Sequence, residues 1–248
     1  MTMGNAVDFH SHILPGIDDG SSSEEQSLAM LAMETEQGIT RVVATPHFYP
    51  HRDTPERFLE RRDGAELRLR EAMIGHDELP DLIVGAEVGY FRGMSQSEYL
   101  PRLAVRGTRC ILIEMPPAPW TEEMYRELEE IKRMQGLTSV IAHVDRYITP
   151  LRRHGIPGRL VRLPVLVQAN ADFFLRPATA GMALKMLKAG QIHLLGSDCH
   201  NTSTRKPNLG GALEQIERKL GAEAVSRIAA CEQQVLNCIS LSGRDVRP

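Results

Sequence analysis

Short apolar runs recur along the chain, and most of them end in a histidine or a carboxylate. Segments with apolar residues at helical spacing separate these runs, a pattern that predicts repeated βα units around a parallel sheet. Because the parallel strands of a barrel bring their carboxyl ends to one face, ligands scattered along the sequence would become neighbours there. The seven predicted strands span residues 7–12, 42–47, 82–87, 110–114, 140–143, 165–170 and 194–200.

Capping and turn signals predict helices between these strands. Ser22 begins a capping-box pattern that has a glutamate three residues later, and Gly38 follows the helix as a stop. Thr121 is predicted to cap a later helix whose first turn is acidic. Two further helical segments, at about residues 208–220 and 221–239, close the chain.

The length of the chain allows one large α/β domain or two small ones. The protein has 248 residues, of which 42% are hydrophobic and 25% are charged. The candidate ligands run from His10 to His200, so two independent halves would divide the site between them. We therefore predict a single domain over residues 1–248.

Charge and cysteine content exclude several classes of partner and location. The formal net charge of −3 and the pI near 6.3 give no electrostatic reason to expect nucleic acid or an anionic membrane surface. No charged start precedes an apolar stretch, and no run approaches the length of a membrane span. The four cysteines form no C-x-x-C pair, which is typical of a reducing compartment. These features predict a soluble, cytoplasmic protein without membrane insertion.

Two residue pairs have the spacing that lets both side chains meet one ion. His10 and His12 are two residues apart on a predicted strand and therefore point to the same side. Asp198 and His200 repeat this spacing at the last strand. Each pair alone is weak evidence, because two polar residues at a strand end often occur by chance. The strand at 165–170 lacks a strong ligand but ends in amides that could line the same face.

Two glutamates at strand ends strengthen the case for metal. Glu87 and Glu114 end apolar runs, where a buried and unpaired carboxylate would cost several kcal/mol. Each therefore needs a cation nearby, either an arginine or a metal ion. Because His47 and His143 end neighbouring runs, shared metal ions are the simpler explanation. Imidazole and carboxylate ligands together favour manganese, iron or zinc over calcium.

Several motifs occur in a fixed order between residues 7 and 207. They are Asp8-x-His10-x-His12, Asp18-Asp19-Gly20, Thr45-Pro46-His47, Glu87, Glu114, His143-Val144-Asp145-Arg146-Tyr147 and Ser197-Asp198-Cys199-His200. The ordered set resembles the polymerase and histidinol phosphatase superfamily, and an ordered set of motifs is far more specific than any single one. More narrowly, it is similar to the manganese-dependent bacterial protein tyrosine phosphatases encoded with capsule and exopolysaccharide genes. The loop at 14–20 and the stretch at 143–147 favour that branch over histidinol phosphatases.

The resemblance implies a fold and a set of site residues. The family's fold is a distorted seven-stranded β/α barrel, in agreement with the seven predicted strands. The resemblance implies two or three divalent metal ions, most readily manganese, with iron or zinc as alternatives. It also implies that Arg146 and Arg205 bind phosphate, and His200 is assigned to this catalytic set as well as to the ligands. The implied metal ligands are His10, His12, Asp19, His47, Glu87, Glu114, His143, Asp198 and His200.

The two remaining aspartates of these motifs have weaker predicted roles. Asp18 is predicted to form a turn through side-chain hydrogen bonds to the backbone. Asp8 is predicted either to orient an imidazole or to have no role in the site.

The implied function is metal-dependent hydrolysis of protein phosphotyrosine. The resemblance implies that the substrate is the tyrosine-rich tail of an autophosphorylating bacterial tyrosine kinase that controls polysaccharide export. Attack on phosphorus would come from a water activated by the metal ions, and tyrosine's phenol leaves with little need of a general acid. Two alternatives stay open: a phosphatase for a small metabolite such as histidinol phosphate, and a metal-bound regulator that binds phosphotyrosine without turnover.

A competing motif surrounds Cys199. Residues 199–205 satisfy the C-x5-R spacing of the unrelated cysteine-dependent tyrosine phosphatases. That mechanism requires a thiolate of low pKa in a loop of converging backbone N–H groups, usually opened by glycine. This loop has no glycine, and Pro207 follows it at once. We therefore favour the metal-dependent mechanism.

Overall fold

A mixed α/β fold with a curled parallel sheet forms from these elements. The computed structural model of the protein describes residues 6–148 and 155–237, and the last predicted helix therefore extends beyond the described residues. The strands are β1 (Ala6–Ser11), β2 (Ile39–Ala44), β3 (His47–Phe48), β4 (Asp81–Val84), β5 (Glu87–Gly89), β6 (Cys110–Glu114), β7 (Thr138–Ile141), β8 (Leu166–Asn170) and β9 (Leu194–Gly196). The helices are α1 (Glu24–Glu36), α2 (Pro55–Ala72), α3 (Glu122–Glu130), α4 (Ile156–Leu160), α5 (Ala171–Leu175), α6 (Pro177–Lys188), α7 (Leu209–Leu220) and α8 (Ala222–Leu236).

All strand pairs of the sheet are parallel, which confirms the predicted α/β class. One group has the order β1-β2-β4, and the other has the order β3-β5-β6-β7-β8-β9. Two of the predicted strands are each interrupted. The strand predicted at 42–47 is divided into β2 and β3, and the strand predicted at 82–87 is divided into β4 and β5. Pro46 lies in the first interruption and has no N–H to donate to the ladder. Pairing nevertheless continues, since Gly85 N donates to Ala44 O at 2.8 Å and Glu87 N donates to Pro46 O at 3.0 Å.

The first strand, β1, is hydrogen-bonded to the segment that follows the last strand, β9. The first and the last of the sequence motifs are therefore neighbours. Asp198 N donates to His10 O at 2.8 Å, and His12 N donates to Cys199 O at 2.9 Å. Asp8 adds a side-chain link, because its carboxylate accepts hydrogen bonds from Ser197 N at 2.9 Å and from Ser197 Oγ at 2.5 Å. The motifs near residues 10 and 198 therefore lie side by side.

A register shift in β1 separates Asp8 from the two histidines. Asp8 pairs with Val42 and Ser11 pairs with Ala44, so three steps on β1 oppose two on β2, as in a β-bulge. Asp8 therefore does not share the face of His10 and His12, although the two-residue alternation of a regular strand would place it there. The side chain of Asp8 lies instead beside Glu34 of α1, and it accepts a hydrogen bond from the backbone N of His10 rather than from an imidazole.

Helix capping agrees with the sequence except at the first helix. The N-cap of α1 is Ser23, one residue after the predicted Ser22. The backbone of Ser23 is extended, and its side chain accepts a hydrogen bond from Gln26 N. Ser22 N instead donates to the Gln26 side chain at 2.7 Å. Thr121 caps α3 as predicted. No described helix combines the length and the apolar character needed to cross a bilayer.

A layer of apolar side chains lies beneath the polar ends of the strands. Phe9 of β1, Leu112 of β6, Val140 of β7 and Leu194 of β9 belong to one buried cluster, which also includes Val235 of α8. Burial of large apolar side chains is the main favourable contribution to folding. This layer supports the strand ends that carry the site.

We expect Gly196→Ala to destabilise the protein, because β9 approaches β1 closely at this point. A Cβ atom at position 196 would lie 2.6 Å from His10 Cβ and 2.9 Å from His10 N. The expected loss in the free energy of unfolding is about 1–3 kcal/mol, the range for overpacked interiors. Gly181→Ala in α6 is the control, since nothing lies within 4 Å of its Cβ position. It should stabilise by about 0.5–1 kcal/mol. Urea unfolding of both variants tests this, and wild-type stability of Gly196→Ala would contradict the close approach.

Candidate metal centre

Two histidines and two carboxylates converge on one point at the ends of β1, β5 and β9. His10 Nε2 and His12 Nε2 lie 3.2 Å apart. Glu87 Oε2 is 3.3 Å from each of these nitrogens, and Asp198 Oδ1 is 3.7 Å and 3.5 Å from them. All four side chains are buried. The sequence-predicted pairs at both ends of the chain thus face a common centre.

Glu87 also belongs to a second group of candidate ligands. Its Oε2 lies 2.9 Å from His47 Nδ1, and its Oε1 lies 2.7 Å from His143 Nε2. Glu114 completes this group, with its Oε1 3.6 Å from His143 Nε2. Glu87 therefore contacts histidines of both groups of candidate ligands.

A third group opens towards solvent. Asp19 Oδ1 lies 3.4 Å from His47 Nε2 and 3.6 Å from His200 Nε2. Ligand atoms of His12, Asp19, His47 and His200 all lie within 4.8 Å of one another. The side chain of Asp19 is 66% exposed, whereas His12 and His200 are buried. The nine sequence-predicted ligand residues are therefore brought together, with Asp19 at the mouth of the site.

The backbone has left-handed geometry at two of these residues. Among the residues that the structure describes, His143 and Asp198 are the two with positive φ that are not glycine, at 32° and 54°. Such conformations cost free energy in residues with a side chain, and they concentrate at functional sites. Here they turn one ligand into the site directly after β7 and another shortly after β9.

Three histidines have their second ring nitrogen held by an acceptor. His12 Nδ1 lies 2.7 Å from Asp18 Oδ2, His10 Nδ1 lies 3.2 Å from Gln168 Oε1, and His200 Nδ1 lies 2.9 Å from Asp198 O. Because each acceptor takes the Nδ1 proton, the neutral form of each ring carries its lone pair on Nε2, which points into the centre. Metal-bound histidines are oriented in this way in proteins.

The electrostatics of the centre attract positive charge. Burial would raise the pKa of Glu87, but attraction and hydrogen bonds from His10, together with bonds from His12 and His143, hold that pKa well below its ordinary value. Burial would likewise lower the pKa of His12, but Asp18, Asp198 and Glu87 raise that pKa well above 6.5. Anionic carboxylates therefore surround nitrogen atoms at a buried point, where a divalent cation would meet both.

His200 supplies the test of whether the residues fit a metal ion. Burial and the neighbouring His12 lower the pKa of His200 to about 4, so its imidazole is neutral at physiological pH. Its Nε2 is buried and has no hydrogen-bond partner in the described protein. A neutral imidazole with a buried, unpartnered lone pair beside carboxylates fits a metal ligand.

Asp18 performs a role that the sequence analysis missed. Its carboxylate forms the predicted turn by accepting from Gly20 N at 2.9 Å, but it also contacts His12 Nδ1 and accepts from His47 N at 3.0 Å. Burial would raise the pKa of Asp18, and the bond to His12 reverses this and lowers it. Its position in a short loop gave no periodic signal for this contact.

The amides of β8 connect several ligands. Gln168 Oε1 contacts His10 Nδ1 and accepts from His143 N at 2.6 Å. Gln168 Nε2 donates to Asn170 Oδ1 at 3.1 Å, and Asn170 Nδ2 donates to Asp198 Oδ2 at 2.9 Å. The two amides are two residues apart on one strand, so their side chains point to the same side. This agrees with the prediction that the amides at the end of this strand line the site.

Tyr49 orients two further candidate ligands. Its hydroxyl donates to Glu114 Oε2 at 2.6 Å and lies 3.2 Å from His47 Nδ1. Its ring stacks on His47, with 5.2 Å between centroids and 26° between planes. Burial and the bond to Glu114 raise the pKa of Tyr49, so the phenol stays protonated and remains a donor.

Two arginines reach the same carboxylate from the rim of the centre. Arg146 Nη2 donates to Asp198 Oδ2, and Arg205 Nη2 donates to Asp198 Oδ1 at 2.8 Å. Each arginine side chain is about 40% exposed, so part of each guanidinium faces the cavity outside the centre. Both arginines thus lie where an anion bound at the centre would meet them.

The alternative cysteine mechanism finds no support in the geometry. Cys199 is fully buried, and burial together with the nearby Glu34 and Asp8 raises the pKa of its thiol well above the ordinary value. A nucleophilic cysteine requires the opposite, an accessible thiol of lowered pKa. Cys199 is therefore an interior residue rather than a nucleophile.

The comparison with protein families assigns the chain to one of them. The family described as capsular polysaccharide synthesis, CpsB/CapC, matches residues 6–237. The protein therefore belongs to the CpsB/CapC family.

Individual relatives resemble the protein along most of its length. Tyrosine-protein phosphatase CpsB of Streptococcus pneumoniae is 29% identical over 234 residues, which cover 90% of this chain and 94% of the relative. Tyrosine-protein phosphatase YwqE of Bacillus subtilis is 28% identical over 228 residues, which cover 88% and 86%.

A solved structure supports the same fold. Among the crystal structures of YwqE from B. subtilis and CpsB from S. pneumoniae, which are described as unique metal-dependent tyrosine phosphatases, one matches with a TM-score of 0.80 at 24% identity. The match covers 95% of this chain and 96% of that one. At this identity the likeness establishes the fold alone.

We expect Asp18→Asn to weaken divalent-metal binding about 10–100-fold, the usual cost of removing a partner that orients a ligand. Asparagine offers one oxygen where the carboxylate offers two to His12 Nδ1, His47 N and Gly20 N, so at least one of these bonds is lost and His12 is held less firmly. Calorimetric titration of chelator-treated protein with manganese measures the affinity. Asp77→Asn, on an exposed loop, is the control and should bind as wild type. Equal affinities in the two variants would show that Asp18 does not orient a ligand.

Proposed function

We propose that the protein hydrolyses phosphotyrosine in proteins with the help of divalent metal ions. The observation that carries this proposal is the convergence of buried imidazoles and carboxylates beside two arginines. His10 and His12 turn Nε2 towards the carboxylates of Glu87 and Asp198, and His200 turns Nε2 towards Asp19. Such a centre suits an anionic, hydrolysable substrate. The names of the curated relatives, which are tyrosine-protein phosphatases, support the substrate class.

Two or three ions, with manganese first and iron or zinc as alternatives, suit the ligand set. Nitrogen and oxygen donors without a thiolate are typical of these metals, and nine ligands exceed what one ion takes. The side chains proposed to hold them are His10, His12, Asp19, His47, Glu87, Glu114, His143, Asp198 and His200.

The metal ions and the protein's own residues have different roles in the reaction. Bound metal ions would supply a water of lowered pKa as the nucleophile and positive charge for the phosphoryl oxygens. Arg146 and Arg205 bind the phosphoryl oxygens and stabilise the charge that develops on them. His200 stays in the catalytic set as a neutral ligand beside Arg205, with its Nδ1 proton donated to Asp198 O.

The leaving group explains why no acid residue is assigned. The phenol of tyrosine has a pKa of about 10, so it departs as an anion more readily than the alkoxide of serine or histidinol. Tyr49 is protonated, but its hydroxyl already donates to Glu114. The site therefore favours aryl over alkyl phosphate esters.

We extend the proposal to the architecture. If β2 with β3 and β4 with β5 each count as one strand, the backbone bonds between β1 and the segment after β9 close the sheet into the distorted seven-stranded barrel. The whole chain then forms one domain around a single site.

The proposal also includes a setting for the reaction. The family's link with capsular polysaccharide synthesis supports a bacterial tyrosine kinase of that process as the substrate. A cytoplasmic location agrees with the free cysteines Cys199 and Cys231. Cys238 lies outside the described residues.

The decisive experiment compares substrates and treatments on one purified protein. We expect chelation to abolish phosphate release from a phosphotyrosine peptide and manganese to restore it, because the nucleophile depends on bound metal. A phosphoserine peptide and histidinol phosphate should react far more slowly under the same conditions. A preference for histidinol phosphate would instead indicate a phosphatase of small metabolites.

Variants in the same assay separate the mechanisms. His143→Ala should lower bound metal and reduce turnover by about 10²-fold or more, in line with the size of metal catalysis. His76→Ala, on an exposed loop, is its control and should change neither quantity. Cys199→Ser should retain most activity. Chelator resistance together with inactivity of Cys199→Ser would overturn the metal mechanism.

We expect Arg146→Ala and Arg205→Ala to keep full metal content but to lose about 10²-fold in kcat/KM, the scale of removing one transition-state donor. Lysine at either position should restore activity only in part, because the planar guanidinium binds two phosphoryl oxygens. Arg159→Ala removes a similarly exposed arginine that pairs with Glu122 and should be silent. Wild-type kcat/KM in both site variants would leave the phosphoryl group without its proposed partners.

A further inference from the structure

A cavity of about 510 Å³ extends from the metal centre along the loop that follows β9. Arg146, Asp198 and Arg205 form its inner end, and Arg176, Lys206 and Asn208 line it further out. Cavities of this size usually hold whole drug-sized ligands. The phosphoryl group and ring of one phosphotyrosine would therefore leave part of the cavity for a neighbouring side chain of the substrate.

The outer part of this cavity has the electrostatics of an anion site. Lys206 is exposed, and no described residue forms an ion pair with it. Two 12-residue helices, α6 and α7, begin at the cavity wall with Arg176 and Asn208 as their N-caps, and neither N-cap side chain bonds to the helix. Backbone N–H groups at a helix start carry partial positive charge and favour anions.

The carboxylates of the cavity are already engaged. Asp172 pairs with Arg176 at 2.5 Å and accepts from Asn208 Nδ2 at 2.7 Å. Asp145 accepts from Asn170 N at 3.0 Å. Asp198 belongs to the proposed metal ligands. The carboxylate of Asp172 therefore already lies beside both helix starts, whereas the positive charge of Lys206 is left without a counter-charge from the described residues.

We propose that this outer part of the cavity binds an anionic side chain that neighbours the phosphotyrosine in the substrate polypeptide. The inference rests on the proposed function, because it assumes that a phosphotyrosine occupies the inner end. It adds a specificity for acidic sequence context, determined by Lys206, which has no place in the phosphoryl-transfer step.

The test uses two phosphotyrosine peptides that are identical except for glutamate or glutamine on both sides of the phosphotyrosine. Manganese-loaded wild-type protein should favour the glutamate peptide about fivefold in kcat/KM, a size typical of one well-placed, partly exposed ion pair. Lys206→Gln should remove most of this preference. Lys219→Gln, at the exposed far end of α7, should keep it. The wild-type preference should also shrink at high salt, because exposed charges are screened.

The outcomes separate this inference from the proposed function. Equal kcat/KM for the two peptides, or the same peptide ratio in Lys206→Gln and wild type, would overturn the acidic subsite while leaving the phosphatase intact. If p-nitrophenyl phosphate and both peptides stay unhydrolysed, the proposed function fails. Fluorescence anisotropy of the labelled peptides would then still show whether the cavity prefers the acidic one. Equal binding of the two peptides would overturn the subsite.

Discussion

The buried carboxylate of Glu87 is the constraint on which the rest of the site depends. It lies within 3.3 Å of nitrogens on His10, His12, His47 and His143, so histidines at three strands, β1, β3 and β7, share one negative charge. A carboxylate in an apolar interior is costly unless positive charge meets it. The arrangement of the sheet, which gathers these strand ends at one face, is what makes that compensation possible.

A surrounding set of polar residues holds the ligands in orientation. Asp18, Gln168 and the carbonyl of Asp198 each occupy one nitrogen of a histidine and so determine where the other nitrogen points. The left-handed backbone at His143 and Asp198 also orients ligands, because it determines the direction in which these two side chains leave the chain. The free-energy cost of these backbone conformations is offset by the favourable packing of the apolar side chains beneath the site.

The two ends of the site differ in what they offer a substrate. The inner groups are buried and rich in carboxylates, whereas the rim beyond Arg146 and Arg205 carries positive charge. In the proposed function, divalent cations on the inner carboxylates would attract the phosphoryl group of a substrate, and the positive rim would meet its remaining charge. Membership of the CpsB/CapC family agrees with this picture, because curated members with this fold are tyrosine-protein phosphatases.

Much of the candidate site follows from the sequence alone, because strand alternation and the common direction of parallel strands predict which residues share a face. Eight of the nine candidate ligands lie at predicted strand ends, whereas Asp19, Arg146 and Arg205 were implied only by the family resemblance. The β-bulge that moves Asp8 away from His10, the interrupted strands and the contacts of Asp18 were decided by the tertiary structure. Their physical reason is that hydrogen bonds between distant segments, such as Ser197 to Asp8, outweigh the local two-residue period.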